Sequence, residues 1–157
     1  MTRVSLLAGV IAVLLCAVAI AATPKKGEFK GDVTPTGNTA QGPGKVTLVV
    51  EGPSDARKIA SFRTTNKMFC GHDTIDGVRF KGLKVDDEGR FKRQSTKRLT
   101  IHDGQGKPIG EQDYRQRVQG RFTSKRKTKG TLTVQRFEGD QPACAKDSYE
   151  FTAQLVE

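Results

Sequence analysis

The chain is 157 residues long, with 27 Lys+Arg against 17 Asp+Glu, a formal net charge of +10, 2 His, 3 Cys and no Trp. That length suits one domain with a core of moderate size. So few histidines and cysteines leave little material for a metal site of about four ligands, and the basic balance favours anionic partners.

Residues 4–23 carry no charge, and Arg3 stands just before them. Leu6, Leu7, Val10, Ile11, Val13, Leu14 and Leu15 form an apolar centre, and Ala19, Ile20, Ala21 and Ala22 close the run. A positive start, an apolar middle and an Ala-x-Ala end describe a secretory signal peptide over 1–22, cleaved after Ala21 or Ala22. The run is also long enough to span a bilayer, which needs about 20 residues, so an uncleaved anchor competes. A lipoprotein with Cys16 as the lipidated residue is a third reading, opposed by the bulky Leu15 before it. Residues 23–26 read as a short linker and 27–157 as a single all-β domain. The expected location is secreted or extracytoplasmic.

Period-2 patterning dominates the remainder, with no convincing amphipathic helix. Residues 27–33 read as a first strand, with Phe29 and Val33. A polar loop over 34–44 contains Pro35, Gly37, Gly42, Pro43 and Gly44. Residues 45–50 alternate, with Val46, Leu48 and Val50 on one face. Gly52, Pro53, Ser54 and Asp55 form a turn. Residues 57–65 are a strand bearing Ile59 and Phe62, and 75–85 hold Phe80, Leu83 and Val85. Asp86, Asp87, Glu88 and Gly89 read as a tight hairpin turn with Gly89 at positive φ, from which Arg90, Phe91 and Lys92 return. Leu99 and Ile101 mark another strand, ended by residues 103–106.

The longest alternation follows. Tyr114, Gln116, Val118, Gly120, Phe122 and Ser124 share one face, and Arg115, Arg117, Gln119, Arg121 and Thr123 share the other. This is the pattern of a sheet with one packed and one wet face. Residues 124–130 turn the chain, Gly130, Leu132 and Val134 come back, and Tyr149, Phe151, Ala153 and Leu155 mark the last strand. The fold class expected is all-β: an antiparallel β-sandwich or closed barrel of about eight strands. Removal of Cys16 with the leader leaves Cys70 and Cys144, which pair in an oxidising compartment unless they stay as buried free thiols. The closed loop of about 75 residues corresponds to about 4.5 kcal/mol in the chain-entropy picture.

Several short motifs carry a resemblance. They are Gly27, Phe29 and Gly31 near the start, Phe62 leading to Cys70, and the turn Gly89, Arg90 and Phe91. Later come Gly120 and Phe122, the basic turn 125–129, Gly130, Thr131 and Leu132, and Cys144 before Phe151. In these the whole mature chain resembles a loose group of small exported β-rich domains of high-GC Gram-positive bacteria with no assigned activity. The polar insert around 104–112 departs from that group. The resemblance implies the fold and a Cys70–Cys144 pair, and it implies no chemistry.

Lys125, Arg126, Lys127 and Lys129, together with Arg115, Arg117 and Arg121, are the densest basic cluster. They could form a patch for anionic envelope polymers or lipid head groups. The competing reading is a solvated hairpin whose lysines protect an edge. Specific nucleic-acid binding is disfavoured because the aromatics alternate toward the core. Cys70, Gly71, His72 and Asp73 suggest a metal or nucleophile, but the chain has only His72 and His102, and Cys70 is expected in a disulfide. A Ser hydrolase using His102 and Asp103 lacks a Gly-x-Ser-x-Gly elbow. Asp86, Asp87 and Glu88 resemble a calcium loop only in acidity. No catalytic residue, metal site or cofactor is expected. The leading reading is a non-catalytic exported interaction or structural domain of the cell envelope. A barrel for a small apolar ligand, or an inhibitor of an extracellular enzyme using loop 34–44, are the alternatives.

Overall fold

A computed structural model describes residues 22–36, 43–70, 73–102, 105 and 107–157. The leader and Cys16 therefore lie outside the described residues, as do His72 and Asp103. Eleven strands and no helix make up the described residues. They are β1 (Gly27–Pro35), β2 (Gly44–Glu51), β3 (Lys58–Thr64), β4 (Lys67–Cys70), β5 (Asp73–Asp76) and β6 (Arg79–Lys84), then β7 (Arg90–His102), β8 (Pro108–Ser124), β9 (Lys127–Glu138), β10 (Gln141–Pro142) and β11 (Asp147–Leu155).

One antiparallel sheet runs in the order β6-β3-β2-β1-β11-β9-β8-β7, with β10 hung on β9, while β4 and β5 form a separate ribbon. The two terminal strands, β6 and β7, approach each other, so the sheet curls into a nearly closed barrel rather than a two-layer sandwich. The join has no strand ladder. Instead the Arg93 guanidinium donates from β7 to the carbonyls of Lys81 (2.8 Å) and Gly82 (3.4 Å) on β6.

Alternation decides what faces inward. Phe29, Val33, Val46, Leu48, Val50, Ile59, Phe62, Val118, Phe122, Leu132, Tyr149 and Phe151 are all buried in one core. Each such side chain is worth about 1.5–3 kcal/mol when taken out of water. Phe rings meet in a chain through the interior: Phe80 to Phe62 to Phe151 to Phe91 to Phe122 to Phe29, with centroids 5.3–6.4 Å apart. At this level the barrel is filled by rings.

Residues 23–26, expected as a linker, are docked on the barrel. Pro24 is buried, its carbonyl accepts from Arg57 Nε (3.0 Å), and the Lys25 N–H donates to the Lys125 carbonyl (2.9 Å).

Other differences from the sequence reading have local causes. Residues 90–92 and 99–101 belong to one thirteen-residue strand, β7, because 93–98 also pair with β8. The outer part of this hairpin leaves the barrel, with residues 108–111 exposed on β8, and residues 93–98 are all polar, so no apolar alternation joins Phe91 to Leu99. The turn after Ser124 is shorter than 124–130: β9 starts at Lys127, and Thr128 is buried with its hydroxyl donating to the Arg121 carbonyl (3.0 Å). The stretch 75–85 is split at Gly77 into β5 and β6. Cys144 is partly buried against the core, whereas the Cys70 side chain lies outside the described part.

Candidate functional site

The outer face of β8 and β9 is a product of strand parity. Even positions of β8 point into the core, so Arg115, Arg117, Gln119 and Arg121 all present to the outside. Successive outward residues on a strand stand about 6.6–6.8 Å apart. The register then sets their neighbours. Arg121 lies between Arg90 of β7 and Lys129 of β9, and Gln119 lies between Lys92 and Thr131, with Glu150 of β11 next in that row.

These two rows flank a third row with two glycines at its middle. Phe91, Gly120, Gly130 and Phe151 are consecutive cross-strand partners. All four are inward-facing positions, and on the outer surface over Gly120 and Gly130 lies an open cleft of about 1140 Å³. Its walls include Lys84, Arg90, Lys92, Arg121 and Lys129, against the acids Asp86 and Glu150. A second cleft of about 370 Å³ lies further along the same strands, lined by Arg115, Arg117, Gln135 and Lys146 among others. Gln119 and Thr131 line both clefts, so the two are one continuous groove. No acid lines the second part.

Several of these bases are held in position. Arg117 Nη2 donates to Gln119 Oε1 (3.0 Å), and Arg121 Nε donates to the Glu88 carbonyl (3.2 Å). Arg115 lies over the Phe137 ring, 3.8 Å from its centroid, and 3.7 Å from Asp140 Oδ1. The acid Asp86 is turned inward on its own hairpin. Its Oδ1 accepts the N–H groups of Glu88 (3.1 Å) and Arg90 (2.7 Å), and its Oδ2 meets Arg90 Nε (2.9 Å). Slight desolvation opposes ionisation, but the Arg90 N–H, the Arg90 guanidinium and the Glu88 N–H hold its carboxyl below the ordinary value. The same turn has Gly89 at φ 70°, as its sequence position required. Asp86 and Glu88 are thus engaged by Arg90 rather than converging on a cation.

The expected basic residues separate into two sets. Arg115, Arg117, Arg121 and Lys129 share the groove. Lys125, Arg126 and Lys127 sit at the β8–β9 turn at one barrel end, where Arg126 pairs with Glu157 (2.6 Å) and accepts the Leu155 N–H (2.9 Å) at its carbonyl. Ten residues of strand place Lys125 about 30 Å from Arg115. Sequence reasoning missed Lys84, Arg90, Lys92, Lys146 and Thr131, because only cross-strand register brings them to this face, whereas the alternation of β8 alone places Gln119 there. On the projecting hairpin, a hydrogen bond from Arg98 holds the Asp113 carboxyl below its ordinary value.

Among the described residues no group of three or more His, Cys, Asp or Glu side chains is placed to hold a metal ion. No helix of the described residues is long and apolar enough to cross a membrane. The chain matches no protein-family model, no curated protein and no solved structure.

Proposed function

We propose that this chain is an exported, non-catalytic β-domain that binds anionic polymers of the cell envelope along the β8–β9 groove. The observation that carries the reading is the continuity of the two clefts through Gln119 and Thr131, which lays Arg121, Lys129, Arg117 and Arg115 along one track. Regularly spaced cations on a track gain from a polyanion by releasing its counterions, and lose that gain in salt. Gln119, Thr131 and Glu150 add hydrogen-bonding groups for the hydroxyls of such a polymer. A barrel for a small apolar ligand is disfavoured by the rings that fill the interior.

Export carries with it a Cys70–Cys144 disulfide. Three observations support the bond: β4 ends at Cys70, β4 lies beside β9, and Cys144 follows β9 and β10 and packs on the core.

The test is retention on immobilised anionic polymer and on anionic vesicles. Retention at low ionic strength that falls as salt rises, and that drops in the Arg121→Gln/Lys129→Gln variant, is the expected result. Equal retention of that variant, or none at low salt, removes the proposal.

A further inference from the structure

We propose that the free edge of β7 at residues 94–98 accepts an extended, acidic segment of a protein partner as an added strand. The barrel is incomplete at this place. β7 is the last strand of the sheet, and among the described residues no strand pairs with its outer edge. β6 runs into β7 through the turn at 85–89 and is tied to it again at Arg93, whose guanidinium caps the Lys81 and Gly82 carbonyls. Beyond Arg93, β7 continues in ladder with β8 alone. A strand paired on one side only leaves a row of N–H and C=O groups pointing outward, a template for another strand.

Charge selects the occupant. Lys81 and Lys84 lie on β6 beside the seam, Lys92 and Lys97 lie on β7, and all four are exposed. Arg98 is already neutralised by Asp113 (2.9 Å) and Glu111 (3.6 Å). A second copy of this edge would set like charges against one another, which is unfavourable across a strand pair. An incoming strand with carboxylates meets lysines on both sides of the seam. Lys84 and Lys92 also wall the β8–β9 groove, whereas Lys97 lies outside it, so Lys97→Glu and the Arg121/Lys129 variant tell this site from the proposed polyanion binding.

The probe is a fluorescent peptide of about ten alternating Glu and Val residues, long enough to pair with the edge. Binding is followed by anisotropy on the full exported chain, and backbone amide exchange maps it. Binding with slowed exchange at 94–98, lost when alternate peptide nitrogens are methylated, is expected. Lys97→Glu should weaken the affinity at least roughly tenfold, while Arg121→Gln/Lys129→Gln leaves it unchanged. Undiminished binding of the methylated peptide overturns the proposal, as does protection that maps to 119–131. Concentration-dependent dimerisation that protects 94–98 without peptide also overturns it, by making a second copy the occupant.

Discussion

The ring of Phe91 lies across the inner face of Gly120: a methyl group on Gly120 would stand 2.5 Å from Phe91 Cζ and 2.8 Å from the Lys129 carbonyl oxygen. Phe151 covers Gly130 on the next strand in the same way, with its Cζ 2.6 Å from such a methyl. Two glycines side by side therefore let two rings approach the sheet closely from inside the barrel. Replacing a strand glycine by alanine ordinarily gains about 0.4–1 kcal/mol through the unfolded chain. Here overpacking at about 1–3 kcal/mol outweighs that gain, so Gly120→Ala should lower stability. Phe91→Ala alone should cost about 3–5 kcal/mol. The double variant should cost less than the sum, because the removed ring relieves the clash with Phe91 while the one with the Lys129 carbonyl remains. Urea unfolding of the four proteins gives the coupling, and strict additivity would contradict the contact.

That pair also marks what could be read beforehand. Gly120 and Phe122 were placed on one face from alternation alone, and Phe29, Leu48, Phe62, Leu132 and Phe151 were legible as core in the same way. Alternation needs one wet and one dry face. Residues 93–98 are all polar and carry no apolar alternation of their own, so they give no strand signal although they pair with Asp113–Val118 of β8. The ribbon strands β4 and β5 and the two-residue β10 are too short for any periodicity to register. The outward arginines 115, 117 and 121 and their neighbour Lys129 are legible as one cluster, but the addition of Arg90 and Lys92 depends on the register of β7 on β8, which no local pattern sets. The turn at Asp86–Gly89 that joins β6 to β7 is legible, but that these two strands are also the two ends of the sheet, which curls it into a barrel, depends on the pairing order of all the other strands.

Arg57 ties the segment before β1 to the barrel. Its Nε donates to the Pro24 carbonyl, and its Nη1 donates to the Gly52 carbonyl. Hydrogen bonds from a charged donor contribute about 1.5–3 kcal/mol, and the burial of Pro24 depends on them. Arg57→Ala should therefore destabilise the fold by about that much and free residues 22–26. Limited proteolysis is the check: the variant should be clipped near Lys25 and Lys26 while the wild type resists. Equal resistance would show that the Lys25–Lys125 backbone bond holds the segment unaided.

Export predicts a dependence on oxidation. If Cys70 and Cys144 are joined, Cys144→Ser should cost about 4.5 kcal/mol for a closed loop of this length. Cys70→Ser should cost the same, and the double variant no more than either single one, since all three open one loop. Intact mass before and after reduction tests the bond directly. Alkylation of both thiols in the denatured, unreduced protein would rule it out.

Tyr149 gives the fold an alkaline limit. Its side chain is 1% exposed, and its hydroxyl has no hydrogen-bond partner among the described residues. Burial first, and the nearby Asp147 carboxylate second, raise the phenol above its ordinary value of 10.0. The unfolded chain releases this proton at about pH 10, whereas the folded chain retains it to higher pH. The folded state thus binds more protons in that window, and stability falls as pH rises. The contribution is complete below about pH 10 and drains away as pH climbs toward the folded value. Tyr149→Phe removes the ionisation and also a buried hydroxyl without a partner, whose desolvation costs about 1–3 kcal/mol. The variant should equal or exceed the wild type in stability at neutral pH and should lose less on going above pH 10. Urea midpoints measured at both pH values, with tyrosinate absorbance followed alongside, decide it. Wild-type Tyr149 ionising near pH 10 while the barrel stays folded would show that the phenol is not shielded.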